Sequence, residues 1–181
     1  MLVLIIGDLH IPQRAVDIPL ELKKLLVPGK VDKIICTGNL TSEETFEYLK
    51  IVSADVVAVK GDYDQADFPE SISFELCNFT VSVINGHQII AHNDKTALER
   101  YMNTLSCDVL ITGHSHMHHA FQENKKIYLN PGSATGSVGQ FGEAIPSFLL
   151  LDVVDLSMTC YVYTLKNGKV DVEKLQFNKR A

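Results

Sequence analysis

The sequence predicts an α/β protein of one domain, spanning residues 1–181, whose strands form one mixed sheet or two stacked sheets flanked by helices. In the first part of the chain, short apolar runs alternate with helical patterns, which favours βαβ units and parallel strands. After "GHSH" (113–116), strand patterns follow one another without intervening helices. The 181 residues are enough for one domain with a sizeable core and too few for two.

The first part of the chain contains alternating strand and helix patterns. The predicted strands are "LVLII" (2–6), "KIICT" (33–37), "DVVAVK" (55–60), "SISFEL" (71–76), "FTVSVI" (79–84) and "DVLIT" (108–112). The predicted helices are "PLELKKLL" (19–26), ended by Pro28-Gly29, "TSEETFEYLK" (41–50) and "KTALERYMNTL" (95–105). Thr41 or Ser42 is the expected N-cap of the second helix, which has acidic residues in its first turn.

The last part of the chain predicts strands only. They are "KIYLN" (126–130), "SFLLLDVV" (147–154), "MTCYVYTL" (158–165) and "KVDVEKLQF" (169–177). Asn167-Gly168 is typical of a two-residue hairpin turn, because both residues tolerate a positive φ. Parallel units followed by this meander account for the mixed-sheet prediction.

The charge of the chain argues against a nucleic-acid binder. The net charge is −6, the pI is near 5.6, and basic residues form only pairs such as Lys23-Lys24. Phosphate contacts need clustered Lys and Arg. The apolar N-terminal run is too short for a signal peptide, and no stretch approaches the roughly 20 residues of a membrane span. We therefore expect a cytosolic protein that reaches membranes only through partners.

Polar residues recur at the ends of the predicted strands, and glycine precedes several of them. This set comprises Asp8, His10, Asn39, Asp62, Asp64, Asn85, His87, His114 and His116. In open α/β sheets, ligands bind outside the carboxyl ends of the strands, so these side chains predict one common site. Imidazole and carboxylate together suit Zn, Mn or Fe better than Ca or Mg. The remaining histidines, His92, His118 and His119, are expected to face solvent.

In order and spacing, the motifs "GDLH", "GN", "GDYD", "NGH" and "GHSH" resemble those of the calcineurin-like metallophosphoesterases. The resemblance covers nearly the whole chain and implies a four-layer α/β/β/α sandwich of two mixed sheets. "MLVLIIGDLHIP", "KKLLVPGK", "CTGN", "NPGSATG" and "IPSF" more closely resemble the small phosphoesterase-fold subunits of the retromer coat, which lack catalysis. The implied role is a scaffold in endosome-to-Golgi retrograde transport.

The same resemblance implies two metal sites, each with its ligands carried over by motif. One metal would use Asp8, His10, Asn39 and His116. The other would use Asn39, Asp62, Asn85 and His114. In the enzymes, such a pair of ions clamps the attacking and leaving oxygens of a phosphoester.

Three departures from the enzymes' pattern make efficient turnover unexpected. Asn39 stands at the bridging position, which is normally aspartate, and an amide offsets little of the repulsion between two dications. Asn85 replaces a histidine ligand, and Tyr63 stands where many enzymes have a proton-donating histidine. No cofactor is then required, and either a weakly bound Zn or Mn ion or a metal-free pocket fits the sequence. The rival hypotheses are a Mn- or Zn-dependent phosphodiesterase or phosphatase, and a metal-gated interaction module.

The resemblance also implies two partner-binding surfaces. The first is an apolar patch for regulators, remote from the metals, and we call its residues the regulator patch: Leu2, Leu25, Leu150, Tyr161, Tyr163 and Val172. The alternative is that these strands are simply buried between two layers. The second surface is the metal-pocket face, where Ile90 would contact the retromer α-solenoid subunit. Its alternative is that Ile89 and Ile90 both belong to a buried strand.

Overall fold

A computed structural model describes residues 1–90, 94–139, 142 and 144–179. The strands are β1 (Leu2–Ile6), β2 (Lys33–Cys36), β3 (Val56–Ala58), β4 (Ser71–Leu76), β5 (Phe79–Ile84), β6 (Val109–Ile111), β7 (His119–Glu123), β8 (Lys126–Asn130), β9 (Ser147–Val154), β10 (Ser157–Lys166) and β11 (Lys169–Asn178). The helices are α1 (Leu20–Lys23), α2 (Glu43–Val52) and α3 (Lys95–Leu105).

The strands form two mixed sheets, as the sequence and the resemblance predict. The order in the six-stranded sheet is β11-β10-β9-β1-β2-β3, and in the five-stranded sheet it is β4-β5-β6-β8-β7. The pairs β1–β2, β2–β3, β5–β6 and β6–β8 are parallel. The predicted meander is confined to β9–β11, since β8 joins the other sheet and pairs with β7. Strand β7 was not predicted. Its residues are half-buried or exposed and show no clear apolar–polar alternation.

The core lies in three layers separated by the sheets. Val3 and Ile5 of β1 pack between the two sheets, whereas Leu4 and Ile6 pack against α1 and α2. A third apolar cluster joins the other sheet to α3 through residues such as Leu98. Because β1 is buried on both faces, its sequence is a continuous apolar run rather than an alternating one. The four-layer α/β/β/α prediction is confirmed.

The helices differ in how well local sequence defines them. Ser42 accepts the N–H of Thr45 and caps α2, and α3 spans the predicted residues 95–105. The first helix is shorter than predicted because the N–H of Leu25 bonds to Leu22 and that of Leu26 to Lys23. These i to i+3 bonds tighten the chain into 3₁₀-like turns before Pro28. No described helix is long and apolar enough to span a membrane.

Candidate metal centre and partner surfaces

The loops that follow β1, β2, β3, β5 and β6 converge on one polar cavity, which we call the metal pocket. Its volume is about 50 Å³. It is lined by His10, Arg14, Asn39, Asp62, Tyr63, His114, His116 and Gly139. Asp8 is fully buried and accepts the backbone N–H of His114 at 2.7 Å. Asn85 is also fully buried, and its carbonyl accepts the N–H of Gly113. Six of the seven residues that the family resemblance assigns to metals therefore line the pocket or bond directly to its lining, whereas Asn85 lies behind the loop after β6.

The backbone of the metal pocket is held in an unusual conformation. Asp8, His10, Asn39, His114 and His116 all have φ between 47° and 66°, in the left-handed region that favours glycine. A non-glycine residue in this region costs about 1–3 kcal/mol in folding free energy. Such residues cluster at functional sites. Their concentration around one cavity indicates that the loops are shaped to aim these side chains inward.

Asp8, His10 and His116 form a compact set of donors. One potential ligand atom from each lies within 4.8 Å of the others. His116 Nδ1 donates to the carbonyl of Ser137 at 2.8 Å, which leaves Nε2 facing the pocket. That nitrogen lies 3.2 Å from Nε2 of His10 and 3.9 Å from Oδ1 of Asp8. This hydrogen bond fixes the orientation of the His116 ring, as hydrogen bonds to the second nitrogen of a ligand histidine do in metal sites.

Burial shifts the pKa values of Asp8 and His10 in this triad. It raises the pKa of Asp8 to about 6, against the attraction of His116 and the amide hydrogen bond from Asn39. Burial, followed by the charge of Arg14, lowers the pKa of His10 to about 3. His10 is therefore neutral at pH 7, the protonation state that a metal ligand needs.

Asn39 connects the two halves of the pocket through hydrogen bonds. Its side-chain Nδ2 donates to Oδ1 of Asp8 and to Oδ1 of Asp62, both at 3.0 Å. Its Oδ1 accepts the backbone N–H of Tyr63, also at 3.0 Å. An amide nitrogen with two hydrogens thus stands between two carboxylates, whereas a bridging carboxylate would stand between two cations.

The remaining polar groups are paired with one another. Asp62 Oδ1 lies 3.5 Å from Nδ1 of His114. This pairing raises the pKa of His114 and, although burial opposes it, lowers the pKa of Asp62 to about 2. The Asn85 amide donates to the carbonyl of Thr37 at 2.7 Å, and its oxygen lies 3.1 Å from Nδ1 of His87. Of the groups expected to bind a second metal, Asp62 is bonded to Asn39 and His114, whereas Asn85 is bonded to Thr37 and His87.

These contacts allow a test of whether a metal fits. One carboxylate and two imidazoles converge at Asp8, His10 and His116, a donor set that suits a single Zn or Mn ion. Nδ1 of His10 has no hydrogen-bond partner among the described residues, so ring packing and the contact of its Nε2 with Nε2 of His116 orient the ring. At the second position the bridging group is an amide with a single oxygen. One of the two lone pairs of that oxygen already accepts the N–H of Tyr63, so it cannot bridge two ions. The residues fit one ion and do not fit a pair.

Asp64 belongs to the predicted strand-end set, and the structure gives it a bonding role. Its carboxylate accepts the N–H groups of Asn39, Gly61 and Thr41 at 2.7–2.9 Å and ties the β2 and β3 loops together. Two other groups that shape the pocket were not predicted. Nothing in the sequence identifies the carbonyl of Ser137, described above, as a partner of a ring. Arg14, the second group, also lies outside every motif.

The expectation that the outlying histidines face solvent is wrong for His118 and His119. Both side chains are half-buried. His119 packs against Phe121 with ring centroids 5.4 Å apart. Its buried Nε2 has no hydrogen-bond partner in the part of the chain that the structure describes. Burial, and then the neighbouring charge of His118, lowers the pKa of His119 to about 4. The third histidine, His92, lies outside the described residues.

Ile90 projects from the loop after β5. Its exposed fraction is 99%, whereas that of Ile89 is 5%. The alternative in which both isoleucines belong to a buried strand is therefore wrong. Ile90 follows His87 by three positions, and its exposed apolar side chain is available for contact with another molecule.

The regulator patch occupies the helix-facing side of the six-stranded sheet. Leu2, Leu25, Leu150 and Tyr163 line an apolar cavity of about 130 Å³. Cross-strand pairing places Tyr161 opposite Leu150, and Val172 opposite Tyr163. By contrast, Leu149 and Leu151 are fully buried between the two sheets. The inward face of β9 follows the buried-strand alternative. On the outward face Phe148 is buried, Leu150 is half-buried and Val154 is exposed.

The fold and the pocket define the class of protein. The model of the calcineurin-like phosphoesterase superfamily domain matches residues 1–156. Vacuolar protein sorting-associated protein 29 of Schizosaccharomyces pombe is 39% identical over 185 residues, covering 99% of both chains. The chain belongs to the calcineurin-like phosphoesterases and, within them, to the family of vacuolar protein sorting-associated protein 29. The predicted family and retromer-subunit role are confirmed.

Solved structures of Vps29 from other organisms also match this chain. Vps29 of Entamoeba histolytica, complexed with Zn²⁺, has a TM-score of 0.92 and 40% identity, covering 98% of this chain and 100% of that one. Vps29 of Chaetomium thermophilum, complexed with a cyclic peptide, has a TM-score of 0.88 and 38% identity, covering 100% of this chain and 98% of that one.

Proposed function

We propose that this chain is a scaffold subunit of retromer whose phosphoesterase site no longer catalyses. The observation that carries the proposal is the pair of hydrogen bonds from the Asn39 amide to Asp8 and Asp62. These bonds satisfy both carboxylates without a metal, so the pocket is stable as a hydrogen-bonded unit. A two-metal clamp would need an oxygen at this position to hold its ions together.

Tyr63 supports the same conclusion. A phenol has a pKa near 10 and is a poor proton donor to a leaving oxygen at neutral pH. Its ring instead contacts the His10 ring edge-on, with the two ring centroids 5.3 Å apart. The cavity is also far smaller than the roughly 300–1,000 Å³ of ordinary ligand pockets.

A single divalent ion remains compatible with this role, and no cofactor is required for it. The triad of Asp8, His10 and His116 supplies the donors, and the Zn²⁺ complex of the Entamoeba histolytica relative supports their use. When bound, the ion would supply a positive charge and cross-link the β1 and β6 loops. The histidines would donate neutral nitrogens and Asp8 a carboxylate oxygen.

The metal-pocket face is the proposed binding site for the large α-solenoid subunit, vacuolar protein sorting-associated protein 35. Ile90 supplies an exposed apolar anchor there. The regulator patch is the proposed site for apolar segments of retromer regulators, and its leucines and tyrosines combine apolar area with polar tips. The cyclic-peptide complex of the Chaetomium thermophilum relative supports peptide binding by this family. Through these contacts the chain would reside in the cytoplasm and on endosomal membranes.

The rival function is a Mn- or Zn-dependent phosphodiesterase or phosphatase, which the intact donor triad favours. The test is hydrolysis of a nitrophenyl phosphodiester with added Mn²⁺, compared with an Asp8→Ala variant. The scaffold proposal expects both proteins to be equally inactive. Turnover at ordinary enzyme rates in the wild type, abolished by Asp8→Ala, would establish the rival function.

A further inference from the structure

Arg14 spans the mouth of the metal pocket. Its guanidinium carbon lies 4.4 Å from the centroid of the Tyr63 ring. On the other side, its Nη1 donates to the carbonyl of Val138 at 2.9 Å. The two anchors come from different loops, one after β3 and one between β8 and β9. Arg14 is thus a strap across the cavity that it lines.

Both anchors are themselves joined to the metal-binding triad. The Tyr63 ring packs edge-on against His10. Gly139 follows Val138 and lies so close to His116 that a Cβ there would come within 2.9 Å of the ring. The two anchors of Arg14 therefore contact His10 and His116, directly or through the next residue, and these are the histidines that would hold an ion.

The strap also carries a fixed positive charge. Guanidinium stays protonated throughout the accessible pH range, and its planar face suits stacking on an aromatic ring. A cation held beside a site opposes the entry of a dication. Arg14 is exposed, so solvent and salt partly screen its charge and the expected effect on affinity is moderate. The described carboxylates nearest the pocket, Asp8 and Asp62, are bonded to Asn39 instead of to Arg14.

We propose that Arg14 determines the cation affinity of this centre, acting as a built-in positive charge that weakens divalent-metal binding at Asp8, His10 and His116. Arg14 is a positioning residue for the pocket mouth and not a ligand. The inference rests on the one-ion site described under the proposed function. It accounts for an intact donor triad in the scaffold proposed above, which requires no cofactor.

The test is a Zn²⁺ titration of the metal-stripped full chain against a chromogenic chelator. Arg14→Gln removes the charge and keeps a hydrogen-bonding side chain, and we expect it to bind Zn²⁺ about 3–10-fold more tightly at low salt. Arg14→Lys keeps the charge but loses the planar group that stacks on Tyr63, so we expect an affinity between those of the wild type and Arg14→Gln. Arg100→Gln, at an exposed arginine of α3, is the matched control and should bind like the wild type.

Salt separates an electrostatic effect from a change of shape. The advantage of Arg14→Gln should shrink as NaCl rises from about 0.05 M to about 0.5 M, because the Debye length falls severalfold. An unchanged or weaker affinity for Zn²⁺ in Arg14→Gln would overturn the inference, as would an equal gain in Arg14→Lys. Circular dichroism of each variant checks that it is folded. The scaffold proposal fails separately, through phosphodiester turnover that depends on Asp8.

Discussion

Ile89 and Ile90 are chemically identical neighbours with opposite environments, the first 5% exposed and the second 99%. Ile89 is fixed inside by its backbone bond to Gly86 and by its packing against α3. Ile90 has no such packing among the described residues. The pair therefore offers a matched comparison between folding and binding at one point of the chain.

Substituting Ile90→Asp should abolish co-purification with the retromer α-solenoid subunit. The free energy of unfolding should change by no more than about 0.5 kcal/mol, because the side chain is on the surface. Ile89→Asp should instead lower it by about 3 kcal/mol or more, since it buries a charge. Pull-down and urea unfolding measure the two effects. Undiminished co-purification of Ile90→Asp would remove that edge from the proposed interface.

The regulator patch should be separable from the solenoid surface. Leu150→Glu places a charge in the apolar cavity and should weaken binding of regulator peptides at least tenfold, as loss of a central anchor does. Binding of the solenoid subunit should be unchanged. Val154→Glu is the control, because Val154 lies on the same strand, is exposed and does not line the cavity. Calorimetry with a regulator peptide measures the difference, and equal weakening by both variants would contradict the assignment.

Asn39→Asp should convert the hydrogen-bonded pocket into one that needs metal. In chelator, three carboxylates would meet at one point, and we expect a loss of about 2–4 kcal/mol in the free energy of unfolding. Added Zn²⁺ should restore more stability to this variant than to the wild type, and the bound stoichiometry should rise from one ion towards two. Chemical unfolding and metal analysis test both points. Full stability of Asn39→Asp in chelator would show that the amide is not essential.

His119 should make stability depend on pH. Its folded pKa of about 4 lies below the ordinary value of 6.5, so the unfolded chain binds more protons between these values. Its contribution is therefore present above pH 6.5 and is lost as the pH falls towards 4, by roughly 2 kcal/mol at pH 4.5.

His119→Phe should remove this part of the pH dependence. Comparing urea unfolding at pH 7 and pH 4.5 in the two proteins isolates the contribution, because the other titrating groups are common to both. A parallel loss of stability in the variant would mean that His119 does not titrate as its burial implies.

Much of the fold was predictable because local chemistry and tertiary structure agree. Ser42 caps α2 as predicted, and Asn167-Gly168 forms the two-residue turn between β10 and β11, with both residues at positive φ. The length of α1 was not predictable, because the helical pattern of "PLELKKLL" does not distinguish α-helical from 3₁₀ hydrogen bonds. β7 escaped notice because an edge strand with polar residues has little periodicity.

The candidate site was predictable to a similar degree. Strand ends in a parallel arrangement must converge, so the side chains from Asp8 to His116 were expected to meet. The orientation of the Asn39 amide was not predictable, because it depends on a tertiary contact. The amide oxygen accepts the backbone N–H of Tyr63, so the amide nitrogen faces the carboxylates. The strap from Arg14 to Val138 joins residues 124 positions apart, and no local pattern encodes such a contact.

Strand β1 has a consequence for how the coat could be assembled. Leu2 at its start opens into the regulator patch, and the loop after Ile6 carries Asp8 into the metal pocket. Five strand residues span about 17 Å, so the two surfaces are distinct sites, and packing on both faces makes the strand stiff. The subunit would then work as a rigid spacer that presents the solenoid surface and the regulator surface at a fixed separation.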